Sequence, residues 1–380
     1  MHYFKSFVKN NQVILLIITI LTLIPTLKYW NTFGKPTDIA HYEELYSKSQ
    51  YVLGEASPHK IDDSEVYIYA GYTYIRGDDP TAVNFEHTPL AKYFFGLSYA
   101  LTGNSVLFNI PLYFATLLLL YVLSCRVIKN KLIRYSIVIL VGSLRLFQFN
   151  VSQGMLDIPN LFAALLFFVT LTHPYKNTKL HYILLGIILG VFAGTRYPFP
   201  LILLLIGPLF IWAYLKKQIK HVFFSLLFLA LTYLATYFVY FKYHSFSEFP
   251  KFEWYRFRWF TGARTIPKFL IFQTIFLGKF LGWWNNEWQI VATWTILWPI
   301  TFVASLIGTI KNKLNPTNGV LLFYTFGLLG FYAIAAASYD RFLIPIIPFW
   351  AIIAGIGLDN LKSKSNILSE LAKVSKRIKL

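Results

Sequence analysis

Residues 12–30 read QVILLIITILTLIPTLKYW, and the stretch that follows, Asn31 to Thr88, holds ten of the chain's 17 acidic residues. The first run is as long as a membrane span, which needs roughly 20 apolar residues. It ends in Lys28-Tyr29-Trp30 and has no small-residue cleavage site, so it predicts a first transmembrane helix and not a cleaved signal peptide. The acidic residues are Asp38, Glu43, Glu44, Glu55, Asp62, Asp63, Glu65, Asp78, Asp79 and Glu86, against four basic ones, for a net charge of −6. The rest of the chain carries +24. A basic, apolar chain that gathers its carboxylates beside its first span concentrates its chemistry there.

Composition points the same way. Mean hydropathy is +0.52, 56% of the 380 residues are hydrophobic and 14% are charged. No soluble fold needs that much apolar surface, so the expected class is an all-α, polytopic membrane protein. The net charge of +18 is not a nucleic-acid footprint, because the Lys and Arg residues fall between apolar runs, as topology signals do. Cys125, alone in its type and set in an apolar segment, reads as a packing residue.

Apolar runs of membrane length lie near 12–30, 105–125, 134–150, 157–173, 180–196, 198–215, 220–241, 289–310, 318–338 and 342–360, about ten spans. Two further segments, 89–103 with Lys92 and 266–284 with Lys268, Gln273 and Lys279, suit helices lying in the interface. With both interfacial, the basic loops at Arg126 to Arg134, Lys176 and Lys179, Lys216 to Lys220, and Lys311 and Lys313 all fall inside. The expected organisation is then a cytoplasmic N-terminus (1–11), a first span (12–30), an external acidic loop with interfacial helices (31–104), six further spans (105–241), an external aromatic and basic segment (242–288), three C-terminal spans (289–360) and a basic cytoplasmic tail (361–380) on the anionic inner leaflet. Both termini face the cytoplasm and the acidic loop faces out. Within that loop, Asp62 and Glu65 form a capping-box pattern and Gly77 with Pro80 a stop, predicting a helix over 62–76. Residues 37–53 suit another, capped by Thr37 or Asp38.

Four constellations carry ionisable groups. In Asp62-Asp63-Ser64-Glu65 one carboxylate could act as a general base at the membrane surface, or the group could simply cap the helix. In Asn84-Phe85-Glu86-His87-Thr88-Pro89-Leu90-Ala91-Lys92 the ammonium could meet a phosphate, or could snorkel at a helix entry. Asp157 in Gly154-Met155-Leu156-Asp157-Ile158-Pro159 sits at a span boundary, where it is a site residue or a cap. Arg196 and Arg341, at external span ends, have forks suited to phosphate oxygens; Arg341 could equally pair with Asp340. Arg256, Arg258 and Arg264, interleaved with Trp254, Tyr255, Trp259 and Phe260, read as a lipid-facing belt. There is no Walker loop, no HExxH and no clustered His or Cys.

Taken together, Asp63-Ser64-Glu65-Val66-Tyr67, Glu86-His87-Thr88-Pro89-Leu90-Ala91-Lys92, Met155-Leu156-Asp157-Ile158-Pro159 and Arg341-Phe342-Leu343-Ile344-Pro345 resemble, in order and spacing, the GT-C membrane glycosyltransferases. The likeness is greatest to the bacterial branch of the protein O-mannosyltransferases (glycosyltransferase family 39). The chain departs from that pattern where Ser64 interrupts the Asp-Glu pair, Thr88 replaces a proline, and Ser152-Gln153 stand where an Arg is common.

The resemblance implies a polyprenyl-phosphate-linked sugar donor, reached from the bilayer, and transfer of a hexosyl or pentosyl group to the hydroxyl of a glycan, lipid or protein acceptor. On this reading Asp63, or else Glu65, is the base, and a single displacement inverts the anomeric centre. Asp62, Glu86 and His87 contact substrate or orient it. Lys92, Arg196 and Arg341 hold the phosphate, and Asp157 positions the sugar or Lys92. The acidic loop also offers oxygen ligands to a divalent metal. The alternative is a transporter or flippase of a charged lipid or solute. That class would favour ionisable residues at mid-span and paired repeats, whereas here the ionisable residues sit mostly at span ends.

Overall fold

A computed structural model describes residues 11–58, 60–196, 201–262, 267–282, 287–311, 315–335 and 338–361. The expected basic tail, most of the N-terminal segment, Pro198 and Arg264 lie outside them. The first apolar run forms α1 (Gln12–Lys28). Its Val13, Leu16 and Leu27 are more than half exposed, which suits a face turned to lipid tails. The acidic loop contains α2 (Ile39–Ser47), capped by Asp38, and α3 (Asp63–Arg76), which begins in the expected capping box and ends at Gly77 in a left-handed conformation. A short turn of helix leads into α4 (Leu90–Thr102).

Next come α5 (Asn109–Val127), α6 (Lys131–Ser143) and α7 (Arg145–Val151), then α8 (Asp157–Leu171), α9 (Thr178–Thr195), α10 (Leu203–Leu215) and α11 (Val222–Thr236). After α12 (Phe249–Gly262) and α13 (Leu270–Leu277), strand β1 (Lys279–Leu281) pairs antiparallel with β2 (Trp288–Ile290), Lys279 opposite Ile290. The chain closes with α14 (Leu297–Lys311), α15 (Pro316–Ala335) and the helical segment α16 (Asp340–Leu361).

The result is an all-α polytopic membrane fold. Each of the ten apolar runs contains a helix. Among the described residues five of these are long and apolar enough to cross a bilayer, six if α6 and α7, bent by 58°, count as one. The other four, α1, α8, α10 and α14, are shorter apolar helices. α4 has 13 residues, about 20 Å of helix, less than the roughly 30 Å of hydrocarbon. The interfacial helix expected over 266–284 is corrected. Among the described residues only Leu270–Leu277 are helical there, because Gly278 turns left-handed and the chain then enters the hairpin.

Two close approaches set the frame. α9 packs along α11 through a stripe of Gly186, Gly190 and Gly194, where added β-carbons would collide with Ser225, Leu229 and Thr236. α3 packs along α4 with backbones touching: a Cβ on Gly71 would lie 2.8 Å from Gly96 N, and one on Gly96 2.7 Å from Gly71 C. α3 and α4 thus form one tightly packed pair. Gly96→Val should force them apart, lowering stability by about 1–3 kcal/mol as an overpacked contact does. Thermal unfolding of detergent-purified protein measures this.

Candidate active site

Widely separated pieces of chain meet at the start of α3. Asp62 precedes the helix as its cap, and the Asp62 amide donates to Glu65 Oε2 at 2.9 Å. Glu65 therefore turns back to close the helix start. Burial first, and then the Asp63 charge, pushes the Asp62 carboxyl up, with Arg341 opposing. Asp63 faces the other way and forms an ion pair with Arg341, donated from Nη2 to Oδ2. Their side chains are 33% and 18% exposed, so this pair is open to a ligand. Ser64, between the two acids, is buried, and its Oγ accepts the Gly154 amide at 2.7 Å.

That bond fastens α3 to the loop before α8. Asn109, at the start of α5, holds the same loop by donating to the carbonyls of Val151 (3.0 Å) and Gln153 (2.9 Å). Met155 then lies against Arg341, with Sδ 3.2 Å from Nη1. Asp157, 1% exposed, forms an ion pair with Arg196, which is 8% exposed. One turn further, Asn160 Nδ2 donates to Thr195 Oγ1 at 3.1 Å, aligning α8 with the end of α9. Phe342 lies between the two guanidinium groups, 5.0 Å from Arg196 Cζ and 5.7 Å from Arg341 Cζ, and stacks on Tyr332 at 4.9 Å.

Lys92, expected as a phosphate ligand, has its ammonium turned to the chain's own oxygens. It is fully buried, and its three donors go to Asn84 O (3.0 Å), Asn84 Oδ1 (2.6 Å) and His87 O (2.7 Å). It clamps the 84–88 loop. Asp157 pairs with Arg196 and not with Lys92. Asp340 does not pair with the Arg341 side chain; it accepts from Thr293 Oγ1 (2.6 Å) and from the Arg341 amide (2.8 Å).

The clamped loop presents Glu86 and His87. Tyr51, which carried no signal in the sequence, donates from its hydroxyl to Glu86 Oε2 at 3.2 Å. Burial, then the Glu86 charge, pushes that hydroxyl far up, keeping it a donor. The His87 ring meets Tyr67 edge-on at 5.8 Å and Phe260 of α12 at 5.5 Å. His87 Nδ1 is buried with no hydrogen-bond partner. Burial, then the charges of Arg196, Lys92, Arg341 and Arg256, hold this imidazole well below its ordinary value, hence neutral.

α12 also departs from expectation. Trp254, Tyr255, Arg258 and Trp259 are exposed as a belt would be, but Arg256 is fully buried against Tyr233, Tyr237 and Glu253. Through Phe85, which touches Tyr255 and Trp259 at 5.4 Å each, α12 rests on the clamped loop. His244, donating to Asp79 Oδ2 at 2.7 Å, ties the second polar stretch to the first. Among the described residues no three His, Cys, Asp or Glu side chains gather as a metal site.

Two outcomes follow. Removing either Asp157 or Arg196 alone leaves a buried charge unpaired and should destabilise by about 3–5 kcal/mol; Asp157→Leu with Arg196→Met should cost clearly less, as read by thermal unfolding. Because His87 is held below the ordinary 6.5, the unfolded chain takes up a proton that the folded chain refuses as the pH falls past that value. Stability should therefore decline with acid. In His87→Gln the melting temperature should fall less between pH 7 and pH 5.

No family model and no curated protein matches the sequence. Among solved structures, ArnT from Cupriavidus metallidurans bound to undecaprenyl phosphate superposes with a TM-score of 0.56 at 15% identity, covering 83% of this chain and 59% of that one. The same protein in the apo state gives 0.53 at 15% identity, covering 83% and 58%. This chain thus spans less than two thirds of the length of ArnT, and it shares the fold of ArnT over that length.

Proposed function

We propose that this chain is a membrane glycosyltransferase that moves a sugar from a polyprenyl-phosphate donor to an acceptor hydroxyl at the external membrane face, with both termini cytoplasmic. The observation that carries the reading is the partly exposed Asp63–Arg341 pair at the end of a membrane helix. It sets a carboxylate and a phosphate-gripping fork in contact. The GT-C fold and the undecaprenyl phosphate bound by ArnT support the choice of donor.

The chemistry runs through those two groups. A donor phosphate competes with Asp63 for the Arg341 fork, which matches phosphate oxygens in bidentate fashion. As the guanidinium turns to the phosphate, the Asp63 carboxylate is freed to accept a proton. The acceptor hydroxyl gives that proton to Asp63, its oxygen bonds to the anomeric carbon, and the bond from that carbon to the phosphate oxygen breaks, inverting the centre. Charge returning to the phosphate is stabilised by Arg341, with Arg196 behind it across Phe342. Glu65 caps the helix and leaves the base role to Asp63. The unpartnered His87 Nδ1 costs roughly 1–3 kcal/mol while buried, which a bound sugar or acceptor hydroxyl would relieve.

Release of free polyprenyl phosphate from a polyprenyl-phosphate sugar by purified protein tests the reading. Asp63→Asn should lower turnover about 10²–10⁴-fold, the usual contribution of a general base, while donor binding persists. A variant that turns over normally would remove Asp63 from this role. A parent protein that releases no polyprenyl phosphate from any such donor would remove the transferase.

A further inference from the structure

At the far end of the bundle lies a second polar feature that the transfer reaction does not use. α5 starts beside the active-site loop, where Asn109 holds Val151 and Gln153. It runs 19 residues, about 28 Å, away from it. There a cavity of about 500 Å³ opens between the α5–α6 turn and the start of α15, lined by Cys125, Arg126, Lys129, Arg134, Asn315 and Asn318 among others.

Three of these are cationic, and none of the described lining residues is acidic. The nearby carboxylate of Asp359, on α16, is engaged by the amides of Lys129 (2.8 Å) and Asn130 (3.1 Å). Arg126 reaches Thr172 Oγ1 at 3.4 Å and His173 Nδ1 at 3.1 Å, both uncharged partners at most. Arg134 spends one donor on the weak acceptor Cys125 Sγ (3.1 Å) and one on Lys129 O (2.8 Å), and its Nε is buried without a partner. Among the described residues no carboxylate neutralises these three side chains at hydrogen-bond range. Leu132, beside them in sequence, is 69% exposed and offers an apolar surface.

We propose that this cavity binds the phosphate of an anionic membrane lipid in the leaflet opposite the active site, bridging the α5–α6 turn and the start of α15. Basic pockets between membrane helices take lipid headgroups in this way. The inference does not depend on the reaction assigned to the other end.

Cys125 is the chain's single cysteine, is exposed and lines the cavity, so it reports occupancy without mutation. The full chain is placed in nanodiscs of phosphatidylcholine or of phosphatidylglycerol, and Cys125 alkylation by neutral N-ethylmaleimide is timed by mass spectrometry. A ligand at about ten times its dissociation constant leaves about a tenth of the sites open, so phosphatidylglycerol should slow labelling about tenfold. A parallel arm adds inorganic phosphate to protein in detergent. Slowing there as well supports the pocket and shows that the phosphate suffices; slowing by the lipid alone supports it and shows that the acyl chains are needed. Equal labelling in every condition overturns the proposal. So does equal slowing in Arg126→Gln/Lys129→Gln, which would reduce the effect to surface charge. Should that variant not fold, Lys129→Gln alone takes its place, and equal slowing there overturns the proposal.

Discussion

The Asp63 carboxylate and the Arg341 guanidinium are 278 residues apart in sequence and in contact in the fold. Each would be costly at the edge of a bilayer without the other, since a charge leaving water must be paired or hydrogen-bonded. Their contact closes the bundle, joining α3 to the last helical segment, α16. Much of the surrounding structure holds the two ends of this pair in place. Ser64 and Asn109 fasten the Gly154 loop, Met155 and Phe342 wall the Arg341 fork, and Asp157 with Arg196 forms a deeper pair behind Phe342.

The two pairs differ in kind. Asp157 and Arg196 are almost sealed and aligned by Asn160 and Thr195, so their balance is structural. Asp63 and Arg341 stay partly exposed, and on the proposed mechanism a donor phosphate exchanges into their contact. A fold that keeps one pair dry and the other reachable places rigidity behind reactivity. Lys92 belongs with the rigid part: its three bonds organise the loop from which Glu86 and His87 project.

The sequence made the helices legible because membrane length, capping and basic loops are local signals. Asp62, Glu65 and Gly77 mark the bounds of α3 directly, and the helices occupy the expected apolar runs. The candidate residues were legible as a set of charges at span ends, but their pairings were not. Nothing local says that Arg341 reaches Asp63 and not Asp340, or that Arg196 takes Asp157. Lys92 read as a phosphate ligand because a cation one turn into a helix looks alike whether it faces a ligand or a carbonyl cluster. Arg256 read as belt for a related reason: its aromatic neighbours in sequence are exposed, while α12 turns this one side chain inward. Tyr51 gave no signal, since one tyrosine in a tyrosine-rich loop is distinguished only by the Glu86 it meets in space. The hairpin at Lys279–Leu281 was hidden by its apolar residues, which suit a helix equally well.

The long separation of Asp63 from Arg341 also bears on biosynthesis. The acidic helix emerges early from the ribosome, whereas its cationic partner is made only after some nine tenths of the 380 residues. Until then the carboxylate faces water at the surface, without the fork that would draw a lipid phosphate to it. On the proposed mechanism, assembly order alone would keep an unfinished chain inert, and a truncation that removes α16 would leave the Asp63 carboxylate without its partner.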